Sequence, residues 1–145
     1  MRNSLPTAAL SEFVNEVASA PQEALMDYGV VMDWESGTRS RAEAKPMRVG
    51  PHRVSRSFTW KVDEPRQLMG NNHGPNPQEL LLSGLGACMM VAFVAGATAE
   101  GIQLESVRID MDATLDLRGF MGIGSNAPVG FPEIRYTIHV AADAT

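Results

Sequence analysis
The sequence is poor in cysteine, with one thiol, Cys88, in 145 residues. One thiol builds no internal disulfide framework, so the expected compartment is reducing, the cytoplasm. Basic residues are the minority, 12 against 17 acidic ones, for a net charge of −5 with the signs mixed along the chain. Neither a basic stripe for nucleic acid nor a polybasic or lipidation motif for a membrane surface is present. The opening MRNSLPTAALSEFV lacks the apolar stretch of a secretory signal. His52, His73 and His139 are scattered, without the HxxxH or CxxC spacing that supplies metal-ligand pairs, and no metal is expected. Asp110, Asp112 and Asp116 match a calcium loop only in composition, since they alternate with apolar residues and the required glycine is missing. GFMGIGSN joins two expected strands rather than opening a helix, which excludes a phosphate cradle, and no GxSxG nucleophile elbow occurs. No cofactor is expected, and there are no repeats or low-complexity tracts.

The longest apolar run is NPQELLLSGLGACMMVAFVAGATAE, residues 76–100. Asn76 suits an N-cap, Pro77 the first helical position, and Glu79 can reach back to the cap. Gly101 follows as a left-handed stop. The helix would be ~36 Å long and is apolar nearly all round, which predicts a central helix buried on nearly all sides. Ser83, Gly84, Gly86, Gly96 and Thr98 dilute it as a membrane span. Gly84, Cys88, Ala92, Ala95 and Ala99 share one side at spacings of three and four, a face on which another element can approach closely. Cys88 is thus expected mid-helix at a tight packing seam. Two readings of it stand. It is a small core hydrophobe, or it is a reactive thiol. The second requires a cation from tertiary structure, because Cys88 is ~12 residues from the positive end of the helix and that influence fades within the first turn.

Before this helix, Leu10, Phe13, Val14 and Val17 predict a short amphipathic helix over 7–19, closed by Pro21. The period then becomes two. Val30, Met32 and Trp34 alternate with Val31, Asp33 and Glu35 up to a Ser36-Gly37 turn. Residues 39–49 predict a polar second strand broken at Pro46. Val54, Phe58, Trp60 and Val62 are assigned to one face of a third strand, where Arg56 is the misfit. Residues 63–75, DEPRQLMGNNHGP, form a polar loop dense in turn residues. Beyond Gly101, Val107, Ile109, Met111, Ala113, Leu115 and Leu117 oppose a wet face of Asp110, Asp112, Thr114, Asp116 and Arg118. A glycine-rich connection, Gly119–Gly130, leads to a second alternating strand of Ile134, Tyr136, Ile138 and Val140. Asp143 is a candidate N-cap for a further helix. Strands, one long helix, then strands predict an α+β fold, a mostly antiparallel sheet wrapped around the helix, in one domain over 1–145.

The block DEPRQLMGNNHGPNPQELLLSGLGACMM, followed by the helix end, Gly-Ile and the strand ending LDLRGFMGI, resembles the OsmC/Ohr family of osmotically induced and organic-hydroperoxide-resistance proteins. The likeness covers Asp63 to Val140, and its most specific part is Pro75 to Cys88. It implies an intertwined homodimer, with strands of both subunits wrapping long central helices. It also implies a thiol peroxidase in which a peroxidatic cysteine becomes a sulfenic acid, resolved by a second cysteine and reduced by a dithiol. In the family an arginine held by a glutamate stabilises the thiolate.

Carried onto this chain, Cys88 matches the peroxidatic cysteine. The arginine falls in SGTRSR, where Arg39 is the first choice and Arg41, then Arg56, the substitutes. The glutamate position after Asn-Pro is Gln78, with glutamate one place later at Glu79. A neutral amide orients a guanidinium without balancing its charge. Residues 78 and 88 of a straight helix are ~15 Å apart, so one arginine serves both only through a bend or a site shared between subunits. The family's resolving cysteine lies in a C-terminal helix that this sequence does not reach: either the chain is a truncated form, or the member lacks that step and an external thiol or dithiol is the reductant. The first expectation is therefore an OsmC-like peroxidase acting on organic hydroperoxides in oxidative-stress defence. The second is a non-catalytic OsmC-fold protein binding a small apolar ligand at the dimer interface. Both require the homodimer, because a lone subunit would leave much of the helix and the inner sheet face uncovered.

Overall fold
The long helix has the ends its sequence specifies. In the computed structural model, which describes residues 1–123 and 126–144, helix α2 runs Pro77–Ala99. Asn76 Oδ1 accepts the Glu79 backbone N–H at 2.8 Å, and Glu79 Oε2 accepts the Asn76 N–H at 2.8 Å. This reciprocal pair satisfies two donors that a helix start leaves open. At the other end Gly101 takes φ +76, which a side chain would resist. The turn lets the Gly101 N–H reach the Thr98 carbonyl and the Ile102 N–H the Ala97 carbonyl, at 3.1 and 2.9 Å.

The chain divides into two compact units. The first, residues 6–81, opens with α1 (Thr7–Ser19), where the expected amphipathic helix lies, and a 3-10 turn, Pro21–Ala24. It holds two small antiparallel sheets. One has the order β2 (Val30–Ser36), β3 (Arg39–Ala44), β6 (Thr59–Val62); the other has β1 (Met26–Asp27), β4 (Met47–Val49), β5 (His52–Val54). Proline at 46 separates β3 from β4, as expected for a residue without an N–H to donate. In the first sheet Met32 opposes Ala42, which opposes Trp60, and Trp34 opposes Ser40, which opposes Val62. That row is the apolar face, and Ala42 and Val62 on it are the buried hydrophobic residues among those described.

The second unit comprises residues 1–5 and the chain from Leu82 onward. Its strands β7 (Leu104–Ala113) and β8 (Ile134–Ala142) pair antiparallel, with Ile109 opposite Ile138 and Met111 opposite Tyr136. Met111 packs on Gly86 of α2, where an added Cβ would lie 3.2 Å from Met111 Cγ. Asn3 fastens the N-terminus here, donating to Thr98 Oγ1 and the Ile102 carbonyl and accepting the Leu104 N–H. The architecture is α+β, with antiparallel sheets and one long helix.

Three expectations are corrected. The stretch from Val54 to Val62 is not one strand: β5 and β6 belong to different sheets, separated by residues 55–58. Arg56 is therefore not on the apolar face of a strand, and its guanidinium stacks 4.6 Å over the Phe58 ring. The strand after α2 stops at Ala113. Leu117 instead begins the short helix α3 (Leu117–Met121), because the Asp116 carboxylate caps it by accepting the Arg118 N–H. Asp143 caps no helix within the described residues; it exchanges hydrogen bonds with Gln103, accepting its N–H at 2.8 Å. Part of the Gly119–Gly130 connection, at 124 and 125, lies outside the described residues.

Periodicity and composition predict α2 buried on nearly all sides, with much of it left uncovered in a lone subunit; within this one chain only Thr98 of the helix is buried. Leu81, Leu85 and Val91 are exposed, Val91 by 71 %. The small-residue seam is open too: nothing lies within 4 Å of a Cβ built on Gly84 or Gly96, and Cys88 is exposed.

Candidate functional site
The polar groups of the first unit converge on one carboxylate. Asp63, directly after the buried Val62, is itself only 2 % exposed. Its Oδ1 accepts from the Thr38 hydroxyl at 2.7 Å and from the Glu64 N–H at 3.0 Å. Its Oδ2 accepts from the N–H groups of Asn71 and His73, at 3.1 and 3.2 Å. The Thr38 hydrogen bond foremost, and then the three backbone donors, hold the carboxyl at about 2 against its ordinary 3.8, although burial pulls the other way. The carboxylate thereby closes the 63–75 loop around itself. Two features let the loop fold so tightly. Asn72 adopts φ +58, a left-handed conformation that asparagine tolerates better than most residues. Gly74 lies against the Lys61 carbonyl, where a Cβ would collide.

The loop delivers His73 to Arg39. Arg39 Nη1 lies 2.6 Å from His73 Nδ1, and Nη2 donates to Ser36 Oγ at 3.2 Å. The third contact comes from a β-bulge. Between Trp34 and Ser36 the β2–β3 register slips by one residue, so Glu35 opposes nothing across the ladder. Its Oε2 meets Arg39 Nε at 2.9 Å, an ion-pair contact without hydrogen-bond alignment, and also Lys61 Nζ at 3.5 Å. The Arg39 side chain retains 28 % of its exposure. Of the three candidate arginines it is the one most held. Arg41 pairs with Glu43, two residues on, at 3.3 Å, and Arg56 stacks on Phe58.

Gln78 lies in the first turn of α2, and its Oε1 is enclosed without a hydrogen-bond partner. The turn also borders an open pocket of about 430 Å³ on the apolar face of the β2–β3–β6 sheet, lined by Met32, Thr38, Ser40, Trp60, Val62, Pro77 and Leu80. Its lining is mainly hydrocarbon, with Thr38 and Ser40 the hydroxyl-bearing residues in it. Cys88 stands further along α2, exposed, and the helix is continuous between residues 78 and 88.

Glu35, Asp63 and His73 were not legible as site residues in the sequence. Asp63 carried a partial signal, an aspartate at a strand end followed by turn residues, which is the setting of a side chain that caps a loop. Glu35 carried none, because a bulge is decided by how two strands pair.

An α+β protein with antiparallel sheets, a capped apolar helix carrying one exposed thiol, and an arginine held by a carboxylate and an imidazole is the class that these features define. The family model for OsmC-like proteins matches residues 70–145, just over half of the chain, and the protein belongs to that family. Comparison with curated proteins gives no match.

Proposed function
We propose that the protein is a cytoplasmic, homodimeric OsmC-like peroxidase that reduces organic hydroperoxides, with Cys88 as nucleophile and Arg39 as the cation that favours its thiolate. The observation that carries this reading is the OsmC-family match over residues 70–145, which takes in the apolar helix that holds the chain's one thiol, Cys88. The Cys88 sulfur attacks the peroxide; an S–O bond forms as the O–O bond breaks. Sulfur is oxidised by two electrons to the sulfenic acid, and the alkoxide leaves and takes a proton as the alcohol. One external thiol then condenses with the sulfenic acid, releasing water, and a second thiol displaces the mixed disulfide to restore Cys88.

Arg39 is supported as the cation by its fixed setting between Glu35 and His73. Gln78 is supported as a neutral partner for a guanidinium by its unpartnered Oε1. The homodimer is supported by the apolar surface one chain leaves in water: Met32, Trp34, Leu81, Leu85 and Val91 are all exposed. Covering one such side chain is worth ~1.5–3 kcal/mol, so a second copy laid over several of them gains enough to associate. By length and composition α2 is also apolar enough to cross a membrane. The polar capping box at its start and the Gly101 turn into β7 favour protein cover instead.

The test is alkylation of Cys88 across pH in wild type and Arg39→Ala, followed by turnover of cumene hydroperoxide with a small dithiol. A thiol that alkylates readily at neutral pH, slows in Arg39→Ala and consumes peroxide is the expected result. A Cys88 that reacts with hydroperoxide no faster than free cysteine sinks the reading.

A second reading rests on Gln78 and on the pocket. The charge-balancing glutamate is replaced by an amide, and the pocket of about 430 Å³ offers hydrocarbon walls. A non-catalytic protein binding a small apolar ligand fits both. Under this reading, Cys88→Ser leaves the protein's cellular effect intact.

A further inference from the structure
We infer that His73 is a positioning residue for Arg39: an uncharged imidazole, delivered by the Asp63-anchored loop, accepts from the guanidinium and releases it when the ring is protonated. The inference deepens the peroxidase reading, and depends on it only for what the release does to Cys88.

A guanidinium has donors and no acceptor, and it does not lose its proton in proteins. The 2.6 Å approach of Arg39 Nη1 to His73 Nδ1 is therefore a hydrogen bond only if Nδ1 carries a lone pair. The ring is then the Nε2–H tautomer, and neutral. Protonation would place an N–H against an N–H and add a second positive charge at the same point. The charged groups facing the pair are few. Glu35 Oε2 sits on Arg39 Nε, Lys61 Nζ shares that carboxylate, and Asp63 Oδ2 accepts the His73 backbone N–H. Histidine is the side chain among these types that changes charge between pH 5 and 8.

The ring is exposed, yet its place is not left to chance. The Asp63 carboxylate holds the backbone at 71 and 73, the Asn72 N–H reaches the Glu64 carbonyl at 3.1 Å, and Gly74 abuts the Lys61 carbonyl. Asp63 stays ionised far below neutrality, so the loop keeps its shape whether or not the ring carries a charge. In this chain the arginine is thus held by Glu35 and His73, on residues outside the helix turn that carries Gln78.

The experiment is nitrogen NMR of the imidazole and guanidinium in the labelled full-length protein, from pH 8 to pH 5. Wild type is compared with Arg39→Ala, His73→Asn and His73→Leu. The asparagine amide oxygen can stand where Nδ1 stands, and it does not titrate. The expected wild type has an unprotonated Nδ1 at pH 8, with the His73 and Arg39 signals moving together through one midpoint. His73→Asn is expected to keep the Arg39 Nη1–H signal and abolish its pH dependence, and His73→Leu to lose that signal at every pH. A protonated Nδ1 at pH 8, or a His73 titration unchanged by Arg39→Ala, overturns the inference. Should the NMR come out as expected while Cys88 alkylation ignores Arg39→Ala, the positioning role stands and the peroxidase reading falls.

Discussion
The 63–75 loop and helix α2 adjoin in sequence and differ in how their demands are met. The loop is polar, and its backbone is closed inside one chain: the Asp63 carboxylate takes four donors, and Arg39 finds a carboxylate, an imidazole and a hydroxyl, although Glu64 Oε2 is enclosed without a hydrogen-bond partner. The helix is apolar, and within one chain its demand is left open, with Thr98 its only buried residue. Hydrogen bonds are short-range and directional, so neighbouring residues can complete them. Burial of hydrocarbon needs area, and a small unit has too little of it. The difference teaches that a carboxylate can close a loop within one chain, whereas one chain leaves most of an apolar helix exposed.

The largest effect is expected where the helix lacks cover. Val91→Asp and Leu85→Asp place a charge on a surface proposed to be enclosed twice per dimer. Each should weaken association by at least ~100-fold, read by sedimentation equilibrium. A wild-type chain that remains monodisperse and monomeric without detergent would break the comparison, since the helix would then need no partner.

Next comes the loop. Asp63→Ala leaves Thr38 and three backbone N–H groups without their acceptor, and the thermal midpoint should fall by on the order of 10 °C. Asp63→Asn keeps one acceptor oxygen and should fall less. The pH dependence follows from the depressed carboxyl, about 2 when folded against 3.8 ordinarily. Its contribution is complete above pH 3.8 and is lost as pH falls toward about 2. Acid unfolding of wild type should show that loss, and Asp63→Asn should not. Identical acid profiles would mean that the carboxylate does not hold the loop.

Smaller effects sharpen the border between the two regions. Asn76→Ala removes one half of the capping box and should cost about 1 kcal/mol in denaturant unfolding. A loss several times larger would mean that the cap also holds the loop. Arg56→Ala removes a stacking contact on Phe58 and should cost ~0.5 kcal/mol, with no effect on Cys88 reactivity. A slowed thiol in that variant would move the activating role from Arg39 to Arg56.

The sequence by itself determined what is local. Asn76, Pro77 and Glu79 dictated the helix start and Gly101 its end, because caps are made by side chains within a few residues of the groups they satisfy. Period-two alternation marked β2, β7 and β8, since side-chain direction along a strand is a property of the strand itself. Pro46 marked its break for the same kind of reason. The tertiary structure alone decided what depends on distant partners. Whether residues 54–62 made one strand or two rested on which sheet each end joined. The slip that frees Glu35 for Arg39 arose from pairing β2 with β3, and the meeting of Arg39 with His73 from a loop closing across 34 residues. The apolar face of α2 was plain in the sequence, but its cover was not, because hydrophobicity states that a surface must be buried without naming what buries it.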